Sequence, residues 1–240
     1  MDYSENPYAS TMGPFAAMAE TDERANFITK TYLHLAGAIA LFVALEAILL
    51  TTPLAETMLG AMMGSRYGWL IVIGLFMFVS FIANKWAQSA TSLTMQYAGL
   101  GLYVVAEAVI FIPLLYIATT IPKFEGVLPL AAVTTIGLFT VLTGVVFFTR
   151  KDFSFLRSFL IFGGFAMLGF FIAAIVFNFS LGPIIVYAGI ALACGYILYD
   201  TSNVLHHYRI GQHVAASLAL FASVALLFWY IIQLFMRSRD

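Results

Sequence analysis

The chain has 240 residues, of which 62% are hydrophobic and only 10% charged, where a soluble domain carries about 25% charged residues. That leaves too little polar surface to cover a water-facing globule, so the solvent is the lipid bilayer and most helices must be apolar all round. A net charge of −1 gives no bulk attraction for nucleic acid, and the single Cys194 excludes an internal disulfide.

Residues 1–29 read as a mobile acidic tail. Asp2, Glu5, Glu20, Asp22 and Glu23 outnumber Arg24, and Pro7, Gly13 and Pro14 interrupt any regular element. The segment lacks the basic start and apolar core of a cleavable signal peptide, so none is expected. From residue 30 to 237 the pattern predicts one membrane domain of seven spans, at roughly 31–50, 68–87, 95–118, 127–149, 155–177, 183–204 and 214–236, since each span needs about 20 apolar residues. Thr51-Thr52-Pro53 ends the first span and Asn84-Lys85-Trp86 the second. Pro122 to Gly126 separates the third from the fourth, Arg150-Lys151-Asp152 marks the next turn, and Gly182-Pro183 opens the sixth. No short alternating segments of the β-barrel kind occur. The fold class is therefore an all-α integral membrane bundle.

An odd number of spans puts the termini on opposite sides. Arg24, Lys30, Lys85, Arg150, Lys151, Arg157 and Arg209 fall on one side, against Arg66, Lys123, Arg237 and Arg239 on the other. The positive-inside rule then places the N-terminus in the cytoplasm and the C-terminus outside.

Three ionisable residues lie within the spans: Glu46 in the first, Glu107 in the third and Asp200 in the sixth. At 1.5 Å per residue, Asp200 is about 6 Å from the cytoplasmic edge, Glu107 about 18 Å and Glu46 about 24 Å. Acids graded through the bilayer suit a proton or cation path. They equally suit protonated groups that hydrogen-bond a neighbouring helix. Gly189, Ala193, Tyr196, Asp200, Asn203 and His207 recur every three or four residues and share one face of the sixth span. A face that begins in small residues and ends in polar ones points into a bundle, which favours an inward Asp200 with Asn203 and His207 as supporting polar groups. His34, one turn into the first span, is placed to face the same cytoplasmic mouth. The last span carries no ionisable side chain between His213 and Arg237, and its alanines 215, 219, 222 and 225 allow close approach by several helices. A central position for that span is one reading; a single ordinary packing face is the other. The loop histidines 206, 207 and 213 have no acid or cysteine beside them in the loop, so a metal site is not expected.

No enzymatic motif is present: there is no HExxH zinc sequence, no nucleophile elbow and no phosphate-binding glycine loop. An intramembrane aspartyl protease needs two converging aspartates, and every aspartate other than Asp200 lies in the tail, in a loop or at the last residue. The chain reads as a non-enzyme without a cofactor.

Leu198-Tyr199-Asp200-Thr201-Ser202-Asn203, leading into His206, and Thr149-Arg150-Lys151-Asp152-Phe153-Ser154-Phe155-Leu156 resemble the Bax inhibitor-1 family, also called the transmembrane Bax inhibitor motif family. The ending Ser238-Arg239-Asp240 is similar to its bacterial YccA-like branch, and the resemblance covers the chain after Lys30. It implies a seven-helix fold with the last helix wrapped by the others, and a pH-sensitive calcium leak in which two aspartates on the sixth and seventh spans share a proton. Asp200 matches the first aspartate. Ser223 stands where the second is expected, and a serine can hydrogen-bond a carboxylate but cannot titrate with it. The resemblance also implies residence in the bacterial inner membrane and a link to a membrane-bound AAA protease, for which the N-terminal tail would be a grip.

Overall fold

The computed structural model describes residues 13–65, 67–180 and 182–239. The first twelve residues of the expected tail, Arg66 and Asp240 lie outside the described residues. Eight α-helices follow one another in these residues: α1 Thr21–Leu49, α2 Leu54–Met63, α3 Gly68–Ala87, α4 Leu93–Thr120, α5 Val127–Thr149, α6 Leu156–Phe177, α7 Ile184–His206 and α8 His213–Arg237. All but α2 are long and apolar enough to cross a bilayer. The protein is a multi-pass helical bundle whose solvent is lipid, and large side chains such as Phe148, Phe162, Phe81 and Val133 point outward accordingly.

The helix ends are chemically explicit. Ser92 caps α4 by accepting the Met95 amide at 3.2 Å. Gly126 precedes α5 with φ 79°, a left-handed conformation that a glycine adopts without strain. Pro183 caps α7, and Arg150 and Asn178 close α5 and α6 in the left-handed region. Threonine hydroxyls within the spans return to carbonyls one turn back, as Thr134, Thr140 and Thr149 do at 2.7–2.8 Å. Each such hydroxyl is thereby satisfied away from water.

Half of the central window of α8 is buried, as is half of that of α4, against 11% for α3 and for α6. The last helix packs on α1, α3, α4, α5 and α7, while α6 leans mainly on α7. A lipid environment supplies no hydrophobic force between helices, so close packing must hold them. Glycine provides it at two places. A Cβ on Gly189 of α7 would meet the Tyr230 ring of α8 at 2.4 Å, and one on Gly99 of α4 would meet the Ala83 carbonyl of α3 at 2.5 Å.

α1 starts at Thr21, before the expected first span, and already buries Phe27 and Thr31. The residues before it are tied down as well. The Gly13 amide donates to the Ile210 carbonyl at 2.9 Å, Ala16 to Tyr208 at 2.8 Å and Ile210 back to Pro14 at 2.9 Å. Over this short antiparallel bridge the Arg209 guanidinium lies 4.6 Å from the Phe15 ring centre. The short helix α2 fills most of the segment between the first two spans.

The alternation of the spans defines two faces. One carries the start of α1 and the α3–α4, α5–α6 and α7–α8 connections, and is here the N-face. The other carries the C-terminus and the α4–α5 connection, whose Lys123 carbonyl accepts from Arg239 at 3.4 Å; it is the C-face.

Candidate functional site

Asp200, six residues before the end of α7, is 8% exposed, and Ser223 of α8 is 4% exposed. The Ser223 hydroxyl donates to Asp200 Oδ2. This is the pairing of the two positions that the family resemblance singled out, with a neutral donor in place of an acid. Beside it stand Tyr103 and Glu107 of α4, both buried. They are one turn apart, a spacing that stacks side chains on one helix face. Four polar side chains from three helices, Tyr103, Glu107, Asp200 and Ser223, thus line one cavity inside the bundle. By the straight-helix estimate Asp200 and Glu107 stand about 12 Å apart in depth.

This cavity of about 820 Å³ lies between α3, α4, α6, α7 and α8. Apart from these four side chains its walls are mainly aromatic and aliphatic, with Trp69, Phe111, Met167 and Trp229 prominent.

The N-face has a second polar group, built from the two sequence segments that carried the resemblance. Arg150 (φ 51°) turns the chain out of α5. Asp152 Oδ1 then accepts the Ser154 amide at 2.8 Å and the Ser202 hydroxyl at 3.3 Å. Ser202 in turn accepts the Phe153 amide at 2.9 Å, and Asp152 Oδ2 pairs with His207 Nε2 at 2.9 Å. These bonds latch the α5–α6 loop to the end of α7, two residues from Asp200. Slight burial works against ionisation of Asp152, but the Ser154 amide and the His207 side chain outweigh it and hold the carboxyl below the usual carboxylate range. Tyr208, in the loop after α7, has its phenol pushed far up by burial and by the nearby charge of Asp200.

The remaining expected residues go elsewhere. Glu46 is buried on α1, neither of its oxygens has a hydrogen-bond partner among the described residues, and it does not line the cavity. His34 hydrogen-bonds the Lys30 carbonyl at 2.6 Å and Tyr97 at 2.8 Å, and packs edge-on against His213 at 4.9 Å. His34 and His213 thus form a separate group between α1, α4 and the start of α8. Asn203 is half-buried and contributes its backbone carbonyl to the amides of His207 and Tyr208. The loop histidines diverge, His206 to the Ser202 carbonyl, His207 to Asp152 and His213 to His34. Tyr103, Asp152 and Ser202 were missed as site residues. The one-turn spacing of Tyr103 and Glu107 was available in the sequence as a signal; the meeting of Asp152 with Ser202, fifty positions apart, was not.

A bundle of apolar spans packed about its last helix, with an ionisable cluster enclosed between α4, α7 and α8, is a polytopic membrane protein with a polar core. The family of inhibitors of apoptosis-promoting Bax1 matches residues 24–240, and the chain belongs to this Bax inhibitor-1 family. It is 32% identical over 124 residues to an uncharacterized protein of Pseudomonas aeruginosa, a match covering 51% of this chain and 55% of that one. It is 34% identical over 126 residues to Bax inhibitor 1 of Schizosaccharomyces pombe, covering 50% and 46% of the two chains. It is 35% identical over 112 residues to the protein LIFEGUARD 4 of Arabidopsis thaliana, covering 44% of each. The matches span about half the length of these relatives. No solved structure matches the chain.

Proposed function

We propose that the protein is a pH-sensitive cation leak, with calcium as the cation, and that the Asp200–Ser223 contact is its gate. The observation that carries this reading is the hydrogen bond itself: it joins the central helix to α7 and holds a carboxylate on the wall of the cavity. Glu107 and Tyr103 form the next step inward. The groups near Asp200 are Ser223 from α8, Tyr103 from α4, Tyr196 from α7 and Tyr208 from the following loop, and Glu107 lines the same cavity. Protonation of Asp200 removes the charge that a cation needs there, and deprotonation restores it. The excess of basic residues on the N-face supports a cytoplasmic N-terminus in a bacterial inner membrane. Glu46, apart from the cavity, is left out of the path.

The test is calcium flux into dye-loaded liposomes across a pH series. The wild-type chain is expected to change its flux with pH, and Asp200→Asn to show one pH-independent rate. Unchanged flux and unchanged pH dependence in Asp200→Asn would remove the gate.

A second reading, regulation of a membrane-bound AAA protease in a stress response, is favoured by one observation. Residues 13–16 are paired to residues 208–210, so a partner gripping the N-terminus pulls on the loop beside Asp200. Deletion of residues 1–12 should then change the half-lives of membrane substrates in cells; unchanged turnover with no co-purifying partner would dismiss it.

A further inference from the structure

The cavity has a shape that ion conduction does not require. On α8 its lining runs from Leu218 to Gln233, and on α3 from Trp69 to Asn84. Either stretch is about 22 Å long at the α-helical rise, most of a hydrocarbon core of about 30 Å. The cavity is therefore a slot standing along the membrane normal. Its outer walls are α3 and α6. α3 packs on α4 and α8, α6 packs on α7, and no substantial contact joins α3 to α6 among the described residues. The slot accordingly faces lipid through a seam between these two helices. Its volume of about 820 Å³ lies within the roughly 300–1,000 Å³ of small-molecule sites, which combine apolar walls with a few converging polar groups.

The two ends differ. Toward the C-face the walls are mainly Phe111, Phe171 and Trp229, with Gln233 at the end of the lining; toward the N-face they are Asn84, Tyr103, Asp200 and Ser223, with Glu107 near mid-depth. Two carboxyl groups line the slot, and no Lys, Arg or His does so among the described residues. We infer that the slot is a binding site for a single-chain membrane amphiphile with an amine headgroup. Its chain lies against the aromatic end and its ammonium donates to Glu107 and Asp200, a charge-assisted contact that a carboxylate or phosphate headgroup cannot make. Entry is lateral, from the bilayer through the α3–α6 seam. This inference goes beyond the leak reading and does not depend on conduction.

Two of the chain's three tryptophans, Trp69 and Trp229, line the slot, and Trp86 does not. Bromine quenches indole fluorescence at short range, so the Trp86→Phe chain reports occupancy directly. It is reconstituted in phosphatidylcholine nanodiscs and titrated with a dibrominated octadecylamine, then with the dibrominated fatty acid of equal length. Saturable quenching by the amine is expected, against the weak linear quenching by the acid that bilayer partition alone gives. Glu107→Gln should weaken the amine by about tenfold, as for the loss of one charged contact. Ala222→Phe, which fills the slot and leaves both acids in place, should abolish saturation. Equal linear quenching by both probes, saturation that survives Ala222→Phe, or saturation by the acid would each overturn the assignment. A chain that fails the flux test yet shows saturable amine quenching would retire the leak and keep this site.

Discussion

Two aspartates bracket the end of α7, and they do opposite things. Asp200 is enclosed between α7 and α8 and holds one hydroxyl; Asp152 sits at the surface, 44% exposed at its side chain, and holds an amide, a hydroxyl and an imidazole. The better-partnered carboxylate is the one in contact with water. Partner number therefore does not measure how much depends on an acid. What matters is what happens when the partner is removed: at Asp152 water can take its place, while at Asp200 water must first enter the bundle.

That contrast can be broken most severely at Ser223. In Ser223→Ala, Asp200 loses the donor that crosses to α8, and leaving a buried acceptor unpaired costs about 1–3 kcal/mol. Thermal unfolding in detergent should show this as a lowered midpoint, and a shift no larger than that of an alanine placed on the lipid-facing side of α6 would count against it. Glu107→Gln sharpens the comparison. If Asp200 and Glu107 act as a coupled pair, the first carboxylate to form opposes the second, the wild-type flux profile is broader than a one-proton curve, and Glu107→Gln narrows it to a single-proton slope. Identical slopes would mean that Asp200 titrates alone.

The smallest effect is expected at Asp152. A surface pair of this kind is worth about 0–1 kcal/mol, so Asp152→Asn should barely alter global unfolding at neutral pH. Its signature is local and acid-dependent. Because the folded chain holds Asp152 below its ordinary value, the latch is fully present above the usual carboxylate pKa of about 3.9. It is lost as the pH falls through the lower folded value. Hydrogen exchange at the Phe153 and Ser154 amides should accelerate across that window in the wild type and show no such step in Asp152→Asn.

Most of the fold was legible because each span is an apolar run closed by proline, glycine or charge. α3 and α5 fall on the expected 68–87 and 127–149, and α6 to α8 depart by one or two residues at their ends. The start of α1 was not legible from hydropathy. Asp22, Glu23 and Arg24 lie in its first turn, and what holds it is tertiary: Phe27 is buried and Arg24 reaches the Leu205 carbonyl at 3.4 Å. The site divides along the same line. Asp200 and Ser223 could be found because each is polar, or aligned to a polar position, within its own helix. Asp152 and Ser202 could not, because their meaning lies in a contact between the α5–α6 loop and the end of α7.

The place of α8 at the centre has a consequence in time. The helix that touches five of the other six spans is the last to be made. With 163 positions between the end of α1 and the start of α8, and synthesis at about 5–20 residues per second, the first helix waits on the order of 10 s for its principal neighbour. Until then α1 can pack only on α4, and α5 on α4 and α7, while α3 and α4 can pair early through Gly99. Assembly of the bundle is therefore gated by synthesis of α8, and Asp200 is made 23 positions before its serine, about 1–5 s earlier at the same rate.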